Sequence, residues 1–423
     1  MIARVMKIGC VADDFTGASD AASFLRKQGL KTILFNEIPK DTLQESCDAV
    51  VIALKSRTAP VEEAVGDSMR ALKWMKDNGA QQLYVKYCST FDSTKEGNIG
   101  PILDAALEEF QIPYTILCPS LPVNGRTVKE GCLYVNGVPL HETHMKNHPL
   151  TPMWDADISV LMKEQSKYPC MKLTVEELRE GKAFVRKKIE AFAEGKEHFY
   201  VIPDYYEEVH GIWIYSCFDD LPLLSGGSGL LGNYEYYTDH TVEKSGEELQ
   251  EVGKTLLLAG SCSKATLEQI EKYKATGNPT ARIDPWSLIT GETSAEKLWE
   301  KWKGQDKVLF YSSDRAENVR KAQEEGKEKV AEMLEQTMAS LAGYAIQAGY
   351  TQVIVAGGET SGAVTRGLGY ESYIIGESIA PGVPVMVPIS AREIRLVLKS
   401  GNFGQPEFFE RAVEVTTTGT RGE

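Results

Sequence analysis

Short β-branched apolar runs alternate with longer amphipathic stretches along the first part of the chain. The runs predict strands at 7–12, 31–35, 49–53, 82–87 and 114–118, with helices between them at 17–28, 60–77 and 97–110. That alternation argues for a parallel sheet covered by helices. Asn136-Gly137 predicts a tight type I′ hairpin. Further strands are predicted at 198–202 and 221–224, followed by a polar, charged stretch over 238–253 that reads as a linker. A second α/β pattern opens at Thr255-Leu256-Leu257-Leu258-Ala259. It continues through strands at 307–311 and 352–356 and a helix at 324–348, and the tail 416–423 reads as frayed. The pattern therefore predicts two α/β domains with mainly parallel sheets, over residues 1–240 and 254–423.

Size supports that division, because 423 residues exceed a single typical core. A content of 42% hydrophobic and 25% charged residues is ordinary for a soluble globular protein. No run approaches the roughly 18 apolar residues of a membrane span, and the first residues lack a signal-peptide pattern. A cytoplasmic location is the default expectation. None of the 8 cysteines forms a C-x-x-C pair, which argues against a disulfide framework or a structural zinc. The net charge of −14 makes nucleic acid and anionic membrane poor partners. An anionic substrate would need positive charge gathered locally.

Candidate chemistry begins at Ala12-Asp13-Asp14-Phe15-Thr16-Gly17, where an apolar strand runs into two carboxylates and then a helix start. The carboxyl end of a first strand is where open α/β sheets place ligands. Asp13 and Asp14 can orient a hydroxyl, accept its proton or help hold a metal; alternatively, one of them only caps the helix. Lys86, Ser89, Thr90 and Asp92 end a later strand, with Asn98 opening the next helix. An ammonium, hydroxyls and a carboxylate suit a polyhydroxy acid. Arg57, after the strand at 49–53, can fork two hydrogen bonds onto a carboxylate. The competing account of these residues is solvated loop polarity. Arg126, Lys146 and His148 lie in a long irregular region, where they either add positive charge over the same cleft or are simply surface basicity.

The second half carries three glycine-rich turns after apolar strands: Gly260-Ser261-Cys262-Ser263, Gly357-Gly358-Glu359-Thr360-Ser361-Gly362 and Lys399-Ser400-Gly401-Asn402-Phe403-Gly404. Glycines admit close approach, and free amides of a helix start point at an anion. No Walker sequence is present, and each turn alone is also compatible with a plain strand-to-helix connection. Together they point to a nucleotide. Two patterns are weaker. Gly227-Ser228-Gly229-Leu230-Leu231-Gly232 matches G-x-G-x-x-G but lacks a clean following helix. His141-Glu142-Thr143-His144 misses the zinc-protease spacing by one position.

Taken together, these motifs resemble the four-carbon acid sugar kinases along nearly the whole chain. Within that family, Ser89 to Thr94 and Lys146 to Met153 look like the 3-oxo-tetronate branch, although Val385 and His144 stand where tryptophan and glycine are expected. The resemblance implies a sugar-acid domain, then a nucleotide domain, with the active site in the cleft between them. It implies ATP with Mg²⁺, no nucleic acid or membrane partner, and leaves self-association open. By position, Asp13, Asp14, Arg57, Lys86, Ser89, Thr90, Asp92, Asn98 and Arg126 would face the sugar acid, with Asp14 as catalytic base. Ser261, Gly357, Gly358, Glu359, Thr360 and Gly401 would face ATP; no metal ligand is singled out. The expected reaction moves the γ-phosphoryl group to the 4-hydroxyl of a 3-oxo-tetronate. D-threonate or D-erythronate are the near alternatives, and an NAD-dependent oxidoreductase or a non-catalytic sugar-acid sensor the distant ones.

Overall fold

The apolar runs of the first half become β1 (Ile8–Ala12), β2 (Thr32–Phe35), β3 (Ala49–Ala53), β4 (Gln82–Lys86) and β5 (Tyr114–Ile116). Then follow β6 (Arg126–Lys129), β7 (Cys132–Val135), β8 (Val138–Pro139), β9 (Cys170–Leu173), β10 (Phe199–Pro203) and β11 (Leu223–Gly226). This computed structural model describes residues 6–148, 151–237, 253–312, 327–401 and 403–418. The stretch predicted as a linker lies outside the described residues over 238–252, as do 324–326 of the long helix and 419–423 of the tail.

In the first unit, Met1–Lys244, the main sheet runs β11-β4-β1-β3-β2 and every pairing is parallel. Its central strands β1, β3 and β4 are buried along their whole length, which explains why they read as continuous apolar runs. The chain leaves β1 toward β2, whereas it leaves β4 toward β5, whose extension bridges β11 through Cys118 and Gly226. Adjacent strands whose connections diverge leave a crevice at their carboxyl ends. Helix α1 (Phe15–Lys27) buries Ala18, Ala21, Ala22 and Leu25, and α2 (Val61–Asp77) buries Ala64, Ala71, Leu72 and Met75. Gly9 of β1 permits that second contact, since a Cβ there would lie 2.7 Å from Met75 Sδ. Helix α3 (Ile99–Glu109) follows the polar loop after β4.

The Asn136-Gly137 hairpin forms between β7 and β8, with φ of 52° and 80° at its two centre residues, the left-handed pair a type I′ turn requires. The supposed dinucleotide fingerprint has a packing origin. A side chain on Gly226 or Gly229 would overlap the carbonyl of Cys118 or Ser120, and one on Gly227 would sit 2.6 Å from the Pro119 carbonyl. These glycines let two backbones approach and open a 3-10 helix, Leu230–Tyr237, rather than an α-helix. The strand expected at 221–224 lies at 223–226, and part of the region expected to be irregular is the small antiparallel sheet β6-β7-β8.

The second unit, Ser245–Glu423, contains β12 (Lys254–Ala259), β13 (Thr280–Arg282), β14 (Lys307–Tyr311), β15 (Tyr350–Ala356), β16 (Ser372–Ala380), β17 (Val383–Pro388) and β18 (Arg395–Lys399). Their order is β16-β17-β18-β15-β12-β14-β13, antiparallel from β16 to β18 and parallel beyond. Leu257, Leu309, Ile354, Val397 and Phe409 belong to one buried cluster over this sheet, and Val385 lies in the same cluster. The tail reading needs correction at its start: Thr416 is 1% exposed within the packed helix Phe408–Thr418. All 8 cysteines are free. Among the described residues no helix is long and apolar enough to cross a membrane.

Candidate functional site

Asp13 is the junction where three strand ends meet. Its amide donates to Lys86 O at 3.2 Å, and its carbonyl accepts from the amides of Ser56 and Arg57 at 3.1 and 3.3 Å. The loops after β1, β3 and β4 are thus drawn together at the crevice. Arg57 turns its side chain back onto the same residue, donating from Nε to Asp13 Oδ2 at 2.8 Å and from Nη2 to Asp13 Oδ1 at 2.9 Å. Its Nη1 lies 2.9 Å from Asp14 Oδ2 and 4.0 Å from Asp92 Oδ2. The fork read from the sequence therefore exists, but the chain's own carboxylate occupies it. Burial alone would favour loss of the guanidinium proton; Asp13 and Asp14 outweigh it and hold the Arg57 pKa above its ordinary value.

Of the roles weighed for Asp14, the helix cap is present. Its Oδ1 accepts from Gly17 N at 2.5 Å, capping α1, while Oδ2 faces Arg57. Burial first, then the Asp13 charge, push its carboxyl above the usual carboxylate range, with Arg57 and Lys86 pulling the other way. Lys86 is 4% exposed and donates from Nζ to Tyr87 O at 3.0 Å. Gly17 is what admits that ammonium: a Cβ there would stand 2.7 Å from Asp14 Oδ1 and 3.1 Å from Lys86 Nζ.

The loop after β4 is set by Phe91, which is fully buried, stacks edge-on against Tyr87 and carries φ of 51°. A bulky residue in the left-handed region is strained unless its surroundings fix it. That turn presents Asp92, whose Oδ1 accepts from Thr90 Oγ1 at 2.6 Å. Ser89 sits half-buried on the same loop. Asn98 serves from behind, donating from Nδ2 to Ser56 O at 2.6 Å and Ala59 O at 2.9 Å, so it fixes the loop that carries Arg57. A cavity of about 20 Å³ lined by Arg57, Lys86, Asp92 and Asn98 lies here, with room for a single water. Arg126 starts β6, with its guanidinium folded onto Asn124 O.

Asp20 escaped the sequence reading. It is a buried carboxyl on α1 that accepts from Ser228 Oγ; burial raises its pKa, against Lys86 and the Ser228 hydrogen bond. Four carboxylates (Asp13, Asp14, Asp20, Asp92) thus accompany two cations, Arg57 and Lys86. A site with that excess of acids is better suited to hydroxyls and their protons than to a bare anion.

In the second unit the three glycine-rich turns converge. A side chain on Gly260 would overlap Thr360 Oγ1, one on Gly401 would overlap Ser261 Oγ, and one on Gly357 would lie 3.1 Å from Ser261 N. Gly357 holds φ of 129° and ψ of 131°, which side-chain-bearing residues avoid. The helix Gly358–Leu368 begins there with Ser361 N donating to Gly357 O at 2.8 Å. Its first amides, those of Gly358, Glu359 and Thr360, therefore lack intrahelical acceptors, which is the geometry that receives phosphate. The Ser361 hydroxyl is buried there with no partner. Asn402 lies outside the described residues.

Among the described residues no group of three or more His, Cys, Asp or Glu is placed to hold a metal ion. Glu359 is the one carboxylate within the three turns.

Residues 8–234 match the family described as sugar-binding N-terminal domain, and residues 256–409 the family described as nucleotide-binding C-terminal domain. A Haemophilus influenzae protein named 3-oxo-tetronate kinase is 40% identical over 413 residues, covering 96% of this chain and 98% of its own. A Salmonella typhimurium protein of the same name is 40% identical over 419 residues, covering 96% and 99%. A crystal structure from Salmonella typhimurium LT2 superimposes with a TM-score of 0.90 at 39% identity, covering 96% of this chain and 98% of that one. One from Haemophilus influenzae gives 0.85 at 39%, covering 96% and 100%. The distant alternatives, an oxidoreductase and a non-catalytic sensor, give way to a kinase. With a parallel-sheet crevice in the sugar-binding half and converging amide-lined turns in the nucleotide-binding half, the chain belongs to the four-carbon acid sugar kinase family.

Proposed function

We propose that this chain transfers the γ-phosphoryl group of ATP to the 4-hydroxyl of 3-oxo-tetronate. The observation that carries the reading is the Asp14 carboxylate, held between the Gly17 amide and Arg57 at the carboxyl edge of β1, with its proton affinity raised by burial. Relatives at 40% identity carry the name of that activity.

The chemistry follows from what these groups can do. Asp14 accepts the proton of the 4-hydroxyl as its oxygen bonds to the γ-phosphorus; the bond from that phosphorus to the β–γ bridging oxygen breaks and ADP leaves. A base with elevated proton affinity suits that transfer, and most of the rate comes from in-line positioning. Arg57, already tied to Asp13, holds the carboxylates in place and offers its remaining N–H groups to substrate oxygens. Lys86, Ser89, Thr90 and Asp92 supply further partners for the hydroxyls and carboxylate of the sugar acid. Asn98 acts through the loop it fixes, and Arg126 belongs to the proposal only through the resemblance.

In the second unit Ser261, Gly357, Gly358, Glu359, Thr360 and Gly401 would line the nucleotide. Among the described residues none builds a Mg²⁺ cage, so the ion would come with the ATP phosphates, whose charge it would neutralise, and Glu359 is the carboxylate of the three turns that would help hold it. A cytoplasmic location belongs to the same reading, which leaves self-association open.

Coupled ADP release over a panel of four-carbon acids tests it, with the oxo acids generated in situ. The expected result is the highest kcat/KM with a 3-oxo-tetronate and phosphate on the terminal carbon by phosphorus NMR. Higher kcat/KM with D-threonate or D-erythronate, or no ADP release with any of the acids, would overturn the assignment.

A further inference from the structure

Lys399 is a buried ammonium that the reaction described above does not use. It ends β18 at 2% exposure and is among the largest fully buried side chains of the protein. Its Nζ donates to Gly401 O at 3.0 Å, to Thr266 Oγ1 at 3.0 Å and to Ser400 O at 3.4 Å, and it lies 5.4 Å from the centre of the Phe408 ring. Its own carbonyl accepts from Gly357 N at 2.9 Å.

These contacts reach all three glycine-rich turns. Through its backbone Lys399 fixes the start of the Gly357 turn. Through Nζ it draws in the Gly401 carbonyl. Through Thr266 it grips the helix Lys264–Ala275 that the Ser261 turn opens. The Gly401 carbonyl also accepts from Ser263 Oγ at 2.5 Å and Thr266 Oγ1 at 2.8 Å, so one carbonyl collects donors from the Ser261 turn, from the helix it opens and from a cation. Gln269 of the same helix adds a parallel tie, donating from Nε2 to the carbonyls of Phe403 and Gly404 at 3.0 Å each.

We infer that Lys399 is a positioning residue for the nucleotide, the cation that locks the three turns into the arrangement that receives ATP. The inference rests on the reading that those turns line the nucleotide, and it gives that site a built-in dependence on protonation. A structural lysine with this burden is ordinarily paired with a carboxylate. Here the groups facing Nζ are a hydroxyl, two carbonyls and an aromatic ring. Glu407, the acid beside Phe408, lies 3.4 Å from Lys272 instead. Burial pushes the Lys399 pKa down, to about 8, and among the described residues no carboxylate or second cation contributes. Above that pH the amine keeps donors but loses its charge, and the hold on the Gly401 carbonyl weakens along with the positive field beside the phosphates.

The test measures the dissociation constant of ATP for the full-length protein from about pH 7 to about pH 9.5, either side of the Lys399 pKa. The wild type should bind ATP about tenfold more weakly at the upper end, the scale of one charge-assisted hydrogen bond. Lys399→Met, which removes a buried charge while leaving Ser263 and Thr266 on the Gly401 carbonyl, should bind about tenfold more weakly already at neutral pH and show no further loss. Wild-type affinity that is level across the range, or a Lys399→Met profile that matches the wild type, overturns the inference. If Lys399→Met does not fold, the wild-type profile alone decides. Gly401→Val separates the two layers of the reading, because its side chain would overlap Ser261 Oγ. Loss of ATP binding in Gly401→Val with unaltered binding in Lys399→Met rejects Lys399 alone. Retained binding in Gly401→Val rejects the placement of the nucleotide, and the role of Lys399 with it.

Discussion

Replacing Arg57 by Met should expose how much of the first unit is organised around one guanidinium. The substitution removes two hydrogen bonds to Asp13 at 2.8 and 2.9 Å and an ion pair to Asp14 at 2.9 Å, and it leaves three carboxylates facing one another. Breaking a fully buried ion pair costs about 3–5 kcal/mol, and an exposed one less than about 1 kcal/mol. The side chains here keep 24% exposure for Arg57, 13% for Asp13 and 35% for Asp14, so the cost belongs between those limits, at about 2–3 kcal/mol. For a unit of this size that is a fall in Tm of roughly 4–12 °C. The sign with pH is fixed. Without Arg57 the Asp14 carboxyl, already raised by burial and the Asp13 charge, rises further above its unfolded value, so the penalty is full near neutral pH and shrinks as acid protonates it. Thermal and urea unfolding at about pH 7.5 and about pH 5, in the Arg57→Met and Arg57→Met/Asp13→Asn proteins, measures this. The double variant should recover part of the loss, because one repelling charge is gone. A loss below about 0.5 kcal/mol, within the range of ordinary surface substitutions, would refute the reasoning. So would an equal loss at both pH values, or no recovery in the double variant.

Gly17→Ala should lower kcat/KM for the sugar acid at least about tenfold, about 1.4 kcal/mol of transition-state stabilisation, while ATP affinity holds. Its Cβ would press on Asp14 Oδ1 and Lys86 Nζ at 2.7 and 3.1 Å, and steady-state kinetics with each substrate varied checks the split. The acid limb of the kcat/KM profile should fall at a pH above the ordinary carboxylate range, because Asp14 must be ionised to act and burial has raised its proton affinity. A limb at an unshifted carboxylate pKa would separate Asp14 from the rate.

Much of this architecture is written locally. β1, β3 and β4 are buried on both faces, so their apolar runs were visible as strands, and Asp13, Asp14 and Lys86 could be placed at strand ends by counting. The Gly357 turn was legible for the same reason. Short strands were not: β6, β7 and β8 span two to four residues each, too few for a period to show. Partners distant in sequence were also hidden. Asp20 meets Ser228 across 208 positions, and Lys399 meets Thr266 across 133. Arg57 has the forked geometry expected of it, and Asp13 is a partner that the sequence did not show. A guanidinium fork fits any carboxylate, and only the fold shows that Asp13 reaches it before a ligand does. The G-x-G-x-x-G match arose because close backbone packing at Gly227 and Gly229 demands glycine for its own reason.

Turnover of the Asp14→Asn protein tests the central claim most directly. With ATP and a 3-oxo-tetronate, the amide keeps an oxygen for the Gly17 amide to donate to but cannot take the hydroxyl proton. ADP release should fall at least about a hundredfold, the lower range of general-base catalysis, with the dissociation constant of ATP unaltered. Near wild-type turnover in a folded Asp14→Asn protein would contradict the account.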